Sequence, residues 1–295
     1  MDARFVGIDV SRDKLDVHIR PGGEKFVISR DAVGLDELIK RLKPVRAVAI
    51  GVEATGVNPA QVRAFARALG QRAKTDPIDA GVIAHFIDAT RPEVRPLPDE
   101  QTRLLAELVT GRRQIIQMLV AERQRQQHPL SRAMKKSAAR LILALEKELN
   151  ALDEGIDEAL RGCEAWKEKQ DLLKSVPGVG DVTARTLLAE MPELGTLDRR
   201  KIAALAGLAP YTQSSGKWKG KSFIAGGRSR VRAVLYMAAM TAIRANPLLK
   251  DFYQQLLVRG KARLAALIAV ARKLLTILNA IIRDKKPWTP VQIMA

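Results

Sequence analysis

The apolar and polar positions of residues 4–10, 14–20 and 24–29 read as three short strands joined by tight turns, the second turn being Pro21-Gly22-Gly23. Leu35, Leu38, Ile39 and Leu42 then recur at helical spacing, which predicts a helix over residues 31–42 with Asp31 as its N-cap. Residues 45–53 form a nearly continuous apolar run, the pattern of a strand buried on both faces. Residues 59–69 and 76–89 read as helices. The order predicts an α/β unit in which a three-stranded meander is followed by a helical crossover to a parallel strand.

Pro92, Pro96 and Pro98 mark a linker. Beyond it, residues 101–127 are polar and helical, with an apolar seam at Leu104, Leu105, Leu108, Ile115 and Leu119. His128-Pro129 interrupts the pattern, and Leu141, Leu145, Leu149, Leu152, Ile156 and Leu160 resume it. Two long helices joined by a turn follow, paired either within the chain or with another copy. Residues 173–184 carry Pro177-Gly178-Val179-Gly180 and read as a helix-hairpin-helix. Gly178 and Gly180 let the backbone turn tightly, and the next helix N-terminus presents free N–H groups to a phosphate. The plain alternative is a helix corner with a glycine C-cap. The apolar run at residues 264–282 is broken by Arg272-Lys273 and reads as an amphipathic core helix rather than a membrane span.

Charge changes this picture. The net charge is +18, and residues 199–286 hold nineteen Lys and Arg against Asp251 and Asp284, so they carry +17 of it. The N-terminal part is nearly neutral, and the C-terminal part has the electrostatic footprint of a nucleic-acid binder. A hydrophobic content of 47% with 4% aromatics fits an Ala/Leu-rich, mostly helical chain, and the length suits about two domains. With Cys163 the sole cysteine, neither an internal disulfide nor a cysteine-based zinc site forms. No charged-then-apolar leader precedes Phe5, so a cytoplasmic, reducing setting is expected.

Candidate chemistry sits in two places. Asp9 and Glu53 fall where apolar strands end, and Asp76 and Asp79 lie three residues apart at the start of a helix. Hard cations such as Mg²⁺ take oxygen ligands, and metal-assisted phosphoryl transfer needs carboxylates converging on one point. The second place is residues 210–232. There Ser214 and Ser215 precede Lys217, Lys219 and Lys221, and Gly226-Gly227 precede Arg228, Arg230 and Arg232. A serine among cations can serve as a nucleophile whose phosphate is held by them. It also fits a solvated, DNA-contacting loop, and no His or Asp lies nearby to form a hydrolase-type triad.

In this order, the motifs resemble insertion-sequence transposases with an Asp-Glu-Asp-Asp RuvC-like domain. These are relatives of the pilin-gene invertase and are known as bridge-RNA-guided recombinases. The resemblance runs from G-I-D-V-S at Asp9, through E-A-T-G at Glu53 and K-T-D-x-x-D-A at Asp76 and Asp79. It continues with P-G-V-G at Pro177, S-G at Ser215 and the G-G-R…L-Y-M-A-A block from Gly226 to Ala239. It implies an RNase H-like (RuvC-like) α/β domain over residues 1–91, a helical coiled-coil linker used in oligomerisation over 92–165, and a mainly α transposase domain over 166–295. It further implies Mg²⁺ held by Asp9, Glu53, Asp76 and Asp79, commonly beside a serine from another subunit. That serine corresponds to Ser215, with Ser214 its nearest competitor, and it would form a covalent link to a DNA phosphate. Donor and target DNA, a structured noncoding guide RNA and a homo-oligomer are the implied partners.

One departure stands out. The family continues after E-A-T-G through a helix and a strand before reaching V-N-P, whereas here Val57-Asn58-Pro59 follows Gly56 at once. Roughly two dozen residues are missing on usual element lengths. The loss is expected to leave the 45–53 strand with an unpaired edge and an uncovered apolar face. Two other readings follow: a RuvC-type nuclease using metal-activated water, and a catalytically dead nucleic-acid-binding deletion product.

Overall fold

The structure is a computed structural model that describes residues 3–52, 59–71, 75–92, 99–128, 131–212, 214–215, 218–220 and 222–289; for Asp76, Pro77, Ser214, Ser215, Trp218 and Lys219 it describes the backbone alone. The chain divides into two units, Met1–Leu97 and Pro98–Ala295.

In the first unit, strands β1 (Phe5–Val10), β2 (Lys14–Arg20) and β3 (Glu24–Ser29) form the antiparallel meander. Helix α1 (Ala32–Leu42) is capped by Asp31, whose carboxylate accepts from the Gly34 N–H at 2.7 Å. It crosses over to β4 (Ala49–Val52), which pairs parallel to β1, giving the order β3-β2-β1-β4. Strand alternation sorts the two faces. Val6, Ile8, Leu15, Val17, Ile19 and Ile28 pack with Leu38 of α1 and with Val45. Phe5, Gly7 and Asp9 face the other way, where Phe5 packs with Ile83 and Ile87 of helix α3 (Asp76–Thr90). The helix comes so close that a Cβ on Gly7 would sit 2.1 Å from the Ala80 carbonyl oxygen and 2.4 Å from the Ala84 nitrogen. Helix α2 (Pro59–Ala68) packs on α3.

The 45–53 run does not make a strand buried on both faces. Val45 ends a single 3-10 turn, the strand spans only Ala49–Val52, and among its residues only Gly51 is buried. Strand β4 is the sheet edge among the described residues, and Val48 and Ile50 are 62% and 50% exposed. An apolar run suited to a central strand therefore lies at an edge, as the shortened sequence after Gly56 led one to expect.

The second unit begins with the helical hairpin of α4 (Glu100–Gln126) and α5 (Arg132–Arg161), paired within one chain. Its seam runs through Leu105, Val109, Ile156 and Leu160, while Leu104 and Leu141, expected in the seam, are exposed. Helices α6 (Glu164–Lys174), α7 (Asp181–Glu190) and α8 (Arg199–Leu205) lead to two short ladders. In these, β5 (Pro210–Tyr211) pairs with β8 (Phe223–Ile224), and β6 (Ser214–Ser215) with β7 (Trp218–Lys219). Helices α9 (Ser229–Ala245), α10 (Pro247–Val258) and α11 (Arg263–Asp284) complete the unit. By length and composition α11 could cross a membrane, yet Val270, Ala271, Leu274, Leu275 and Leu278 are wholly buried in the core of this unit. Its buried Asn279 accepts from the Gly195 N–H and donates to the Leu197 carbonyl, both at 2.8 Å, so its amide is satisfied inside that core.

Candidate active site

Asp9 lies near the C-terminal end of β1 and is 5% exposed. Phe5 meets Ile83 and Ile87, and Gly7 meets Ala80 and Ala84, so α3 runs antiparallel to β1 and its first turn points toward the Asp9 end. That brings Asp76 and Asp79, both in the first turn of α3, toward the same end of the sheet. The unpaired N–H groups and dipole of a helix N-terminus favour anionic groups there. The Asp76 side chain lies outside the description. Asp79 is half-buried and lines a cavity of about 280 Å³ with Pro59, Val62, Arg63 and Ala66 of α2. Glu53 lies outside the described residues; the described strand ends at Val52, which pairs with Ile8.

Directly opposite Asp9 in the β1–β2 ladder stands Asp16, 2% exposed. Sequence reading passed over it, because Asp16 between Leu15 and Val17 follows the ordinary polar–apolar alternation of a strand with one solvated face. Two places along the same strand face, His18 lies against Gly81 of α3 and its Nδ1 has no partner. Burial, together with the charges of Lys25 and Arg20, holds the His18 imidazole below its ordinary pKa. Arg20 follows on that face and reaches Asp88 of α3 at 3.4 Å.

Among the described residues no three His, Cys, Asp or Glu side chains cluster closely enough to hold a metal ion. Buried carboxylates at Asp9 and Asp16, with both Asp16 oxygens lacking hydrogen-bond partners, are nonetheless an oxygen donor set that fits a hard cation.

In the second unit, the turn between α6 and α7 holds Gly178 at φ +101°, and a Cβ there would lie 2.5 Å from the Ala242 Cα of α9. Gly178 thus serves close packing as well as the turn. Gly180 is the N-cap of α7, with open space where a Cβ would project. The first helical residue, Asp181, is already paired with Lys174 at 2.7 Å, and that pairing holds its carboxyl below the ordinary pKa.

Ser215 pairs with Trp218, and Ser214 with Lys219, across the β6–β7 ladder; Lys217 and Lys221 lie outside the described residues. The neighbouring ladder is pinned by the stacked rings of Tyr211 and Phe223, 6.1 Å apart. The three arginines are engaged within the chain. Arg228 precedes α9 as its N-cap and makes a two-pronged pair with Glu193 at 2.5 and 2.6 Å. Arg232 donates to the Gly226 carbonyl at 2.6 Å, and Arg230 approaches Glu190 at 3.4 Å and Thr110 at 3.3 Å. Glu193 carried no local signal, because its partner is thirty-five residues away in sequence.

Comparison with known proteins adds to this geometry. Residues 170–254 match the family described as Transposase IS116/IS110/IS902 family, and residues 56–135 match a second family described as Transposase, the DEDD transposases of IS110. The pilin gene-inverting protein of Moraxella bovis is 31% identical over 237 residues, which cover 79% of this chain and 73% of that protein. The pilin gene-inverting protein of Moraxella lacunata matches to the same extent. The insertion element IS116 uncharacterized 44.8 kDa protein of Streptomyces clavuligerus is 32% identical over 160 residues, 52% of this chain and 40% of that protein.

Proposed function

The chain belongs to the IS110/IS116 family of insertion-sequence transposases, and from that we propose that it cuts and rejoins DNA through Ser215, with Mg²⁺ at Asp9, Glu53, Asp76 and Asp79. The observation that supports this reading is the buried Asp9 near the end of β1, toward which the first turn of the antiparallel helix that carries Asp76 and Asp79 points. The hydroxyl oxygen of Ser215 attacks a backbone phosphorus, a phosphorus–oxygen bond breaks, and the freed strand end leaves as a hydroxyl. A hydroxyl of a second strand then attacks the serine phosphoester and restores Ser215, so no external energy source is consumed. A bound divalent cation would offset the charge that builds on the phosphoryl oxygens. Lys217, Lys219, Lys221, Arg228, Arg230 and Arg232, with the backbone around Gly178 and Gly180, would hold nucleic-acid phosphates. A structured RNA would select donor and target DNA by pairing, and a homo-oligomer would bring serine and carboxylates together across subunits.

The test mixes the purified chain, its RNA and matched DNAs with Mg²⁺, and reads recombinant junctions and protein–DNA adducts on denaturing gels. Junctions that vanish in both Asp9→Ala and Ser215→Ala are expected. Normal recombination by Ser215→Ala would remove the serine mechanism, and cleavage without any adduct would favour metal-activated water.

The exposed edge at β4 supports a second reading, a nucleic-acid binder that has lost strand transfer with the segment after Gly56. Under it, the chain retains DNA or RNA binding while Mg²⁺ calorimetry on the intact chain shows no binding sensitive to Glu53→Ala.

A further inference from the structure

We infer that Asp16 is a fifth carboxylate of the cation site and holds a divalent cation jointly with Asp9; this rests on the metal reading above. Asp9 and Asp16 are register partners on adjacent antiparallel strands and project from the same face of the sheet, the face covered by α3. Side chains directly opposite one another stand about 4.5–5.5 Å apart at Cβ, and like charges there oppose each other. Here both members are buried, Asp9 at 5% and Asp16 at 2% exposure. Burying a charge is costly unless it is paired and hydrogen-bonded. Yet neither oxygen of Asp16 has a hydrogen-bond partner among the described residues, where its ion pair is to the Lys14 ammonium, 3.4 Å from Oδ2. Lys14 is half-exposed on a flexible stem and shares the strand face of Asp16, so its ammonium occupies the place of a cation from the solvent side.

A purely structural carboxylate at this position would be expected to accept from backbone or side-chain N–H groups, as Asp31 does from Gly34. Asp16 makes no such contacts. Two carboxylates also suffice for the ligand proposed, because Mg²⁺ commonly binds through one or two carboxylates and retains waters or takes substrate phosphates in its remaining positions. The pair therefore needs no third described side chain to act.

The experiment measures Mn²⁺ binding to the full chain by the loss of the free-ion resonance, together with unfolding temperature with and without Mn²⁺. Asp16→Asn is expected to weaken Mn²⁺ at least about 10-fold, the scale for losing a group that ligates or orients at a metal site. It should also reduce the rise in unfolding temperature that Mn²⁺ gives. Lys14→Met, at a half-exposed position, is expected to bind Mn²⁺ more tightly, since it removes the competing ammonium. If Asp16 merely serves Lys14, both variants lower the metal-free unfolding temperature and leave Mn²⁺ affinity unchanged, which overturns the inference while the metal reading stands. Weaker binding by Lys14→Met overturns it as well, whether or not Asp16→Asn folds. Wild-type protein that takes up no Mn²⁺ would remove the metal reading itself, and the role of Asp16 with it.

Discussion

Gly7 shows how a single residue fixes the distance between the sheet and the helix on which the proposed chemistry depends. The atoms a Cβ would meet are the Ala80 carbonyl oxygen and the Ala84 nitrogen and Cα, all backbone, so no side-chain rotation relieves the overlap. Gly7→Ala must push α3 away from β1. Overpacking of a close-packed interior costs about 1–3 kcal/mol, and a backbone contact belongs at the upper end of that range. The expected outcome is a lower denaturation midpoint for the first unit and weaker Mn²⁺ uptake, since the first turn of α3 moves with the helix. A Gly7→Ala protein with wild-type midpoint and affinity would show that the helix–sheet distance does not control the site. Sequence reading singled out Asp9 because its motif is local. It passed over Asp16, since the pairing with Asp9 becomes visible only once the β1–β2 register is known.

At the scale of elements, the junction of α4, α5 and α7 is held by charge as well as by apolar contact. Arg112 of α4 makes a two-pronged pair with Asp153 of α5 at 2.7 and 3.1 Å, and Arg185 of α7 joins Asp153 at 2.8 Å and also pairs with Asp157. The hydrogen bond from Arg112, then the charges of Arg112 and Arg185, hold the Asp153 carboxyl below its ordinary value of 3.8. A carboxylate whose pKa is depressed by folding contributes stability that is fully present above the unfolded value. That contribution is lost as pH falls through the lower folded value. Asp153→Asn should therefore cost about 1–3 kcal/mol near neutral pH, with the loss shrinking as pH drops below about 4. Parallel thermal melts of wild type and variant check this, and a gap that stays constant down to pH 2 would remove Asp153 as its source.

The same scale shows what the chain's pattern could convey. The meander, α1 and the parallel strand were legible because strand turns and helix spacing are local signals. Of the expected α4 seam, Leu105 and Leu119 are buried while Leu104 is exposed, because three-and-four spacing admits both Leu104 and Leu105 until the partner helix is placed. The ladders of residues 210–224 were read as a flexible loop. Strands of two residues carry no periodicity, and their pairing rests on contacts such as Tyr211 on Phe223.

For the whole molecule the dominant feature is the segregation of charge, with +17 of the +18 net charge in residues 199–286. Not every cation there is equally available. Glu193 holds Arg228 and Glu190 lies near Arg230, whereas Lys217, Lys219 and Lys221 punctuate a twelve-residue stretch that contains no acid, residues 210–221. Each Lys or Arg that neutralises a duplex phosphate releases counterions, and log affinity falls with log salt at a slope of about −0.9 per phosphate contacted. Replacing Lys217, Lys219 and Lys221 together by Ala should therefore weaken binding to any duplex sequence and make the slope shallower by up to about 2.7. Arg228→Ala acts differently, because it removes the two-pronged pair with the half-buried Glu193 carboxylate. It should lower the unfolding free energy by about 1–3 kcal/mol, with a smaller change in slope than the lysine variant. Fluorescence anisotropy with a labelled duplex across a salt series, alongside urea melts, separates the two effects. A slope unchanged by the lysine triple variant would move the DNA-contacting surface away from the serine hairpin, and with it the argument for Ser215 as the residue that meets the phosphate.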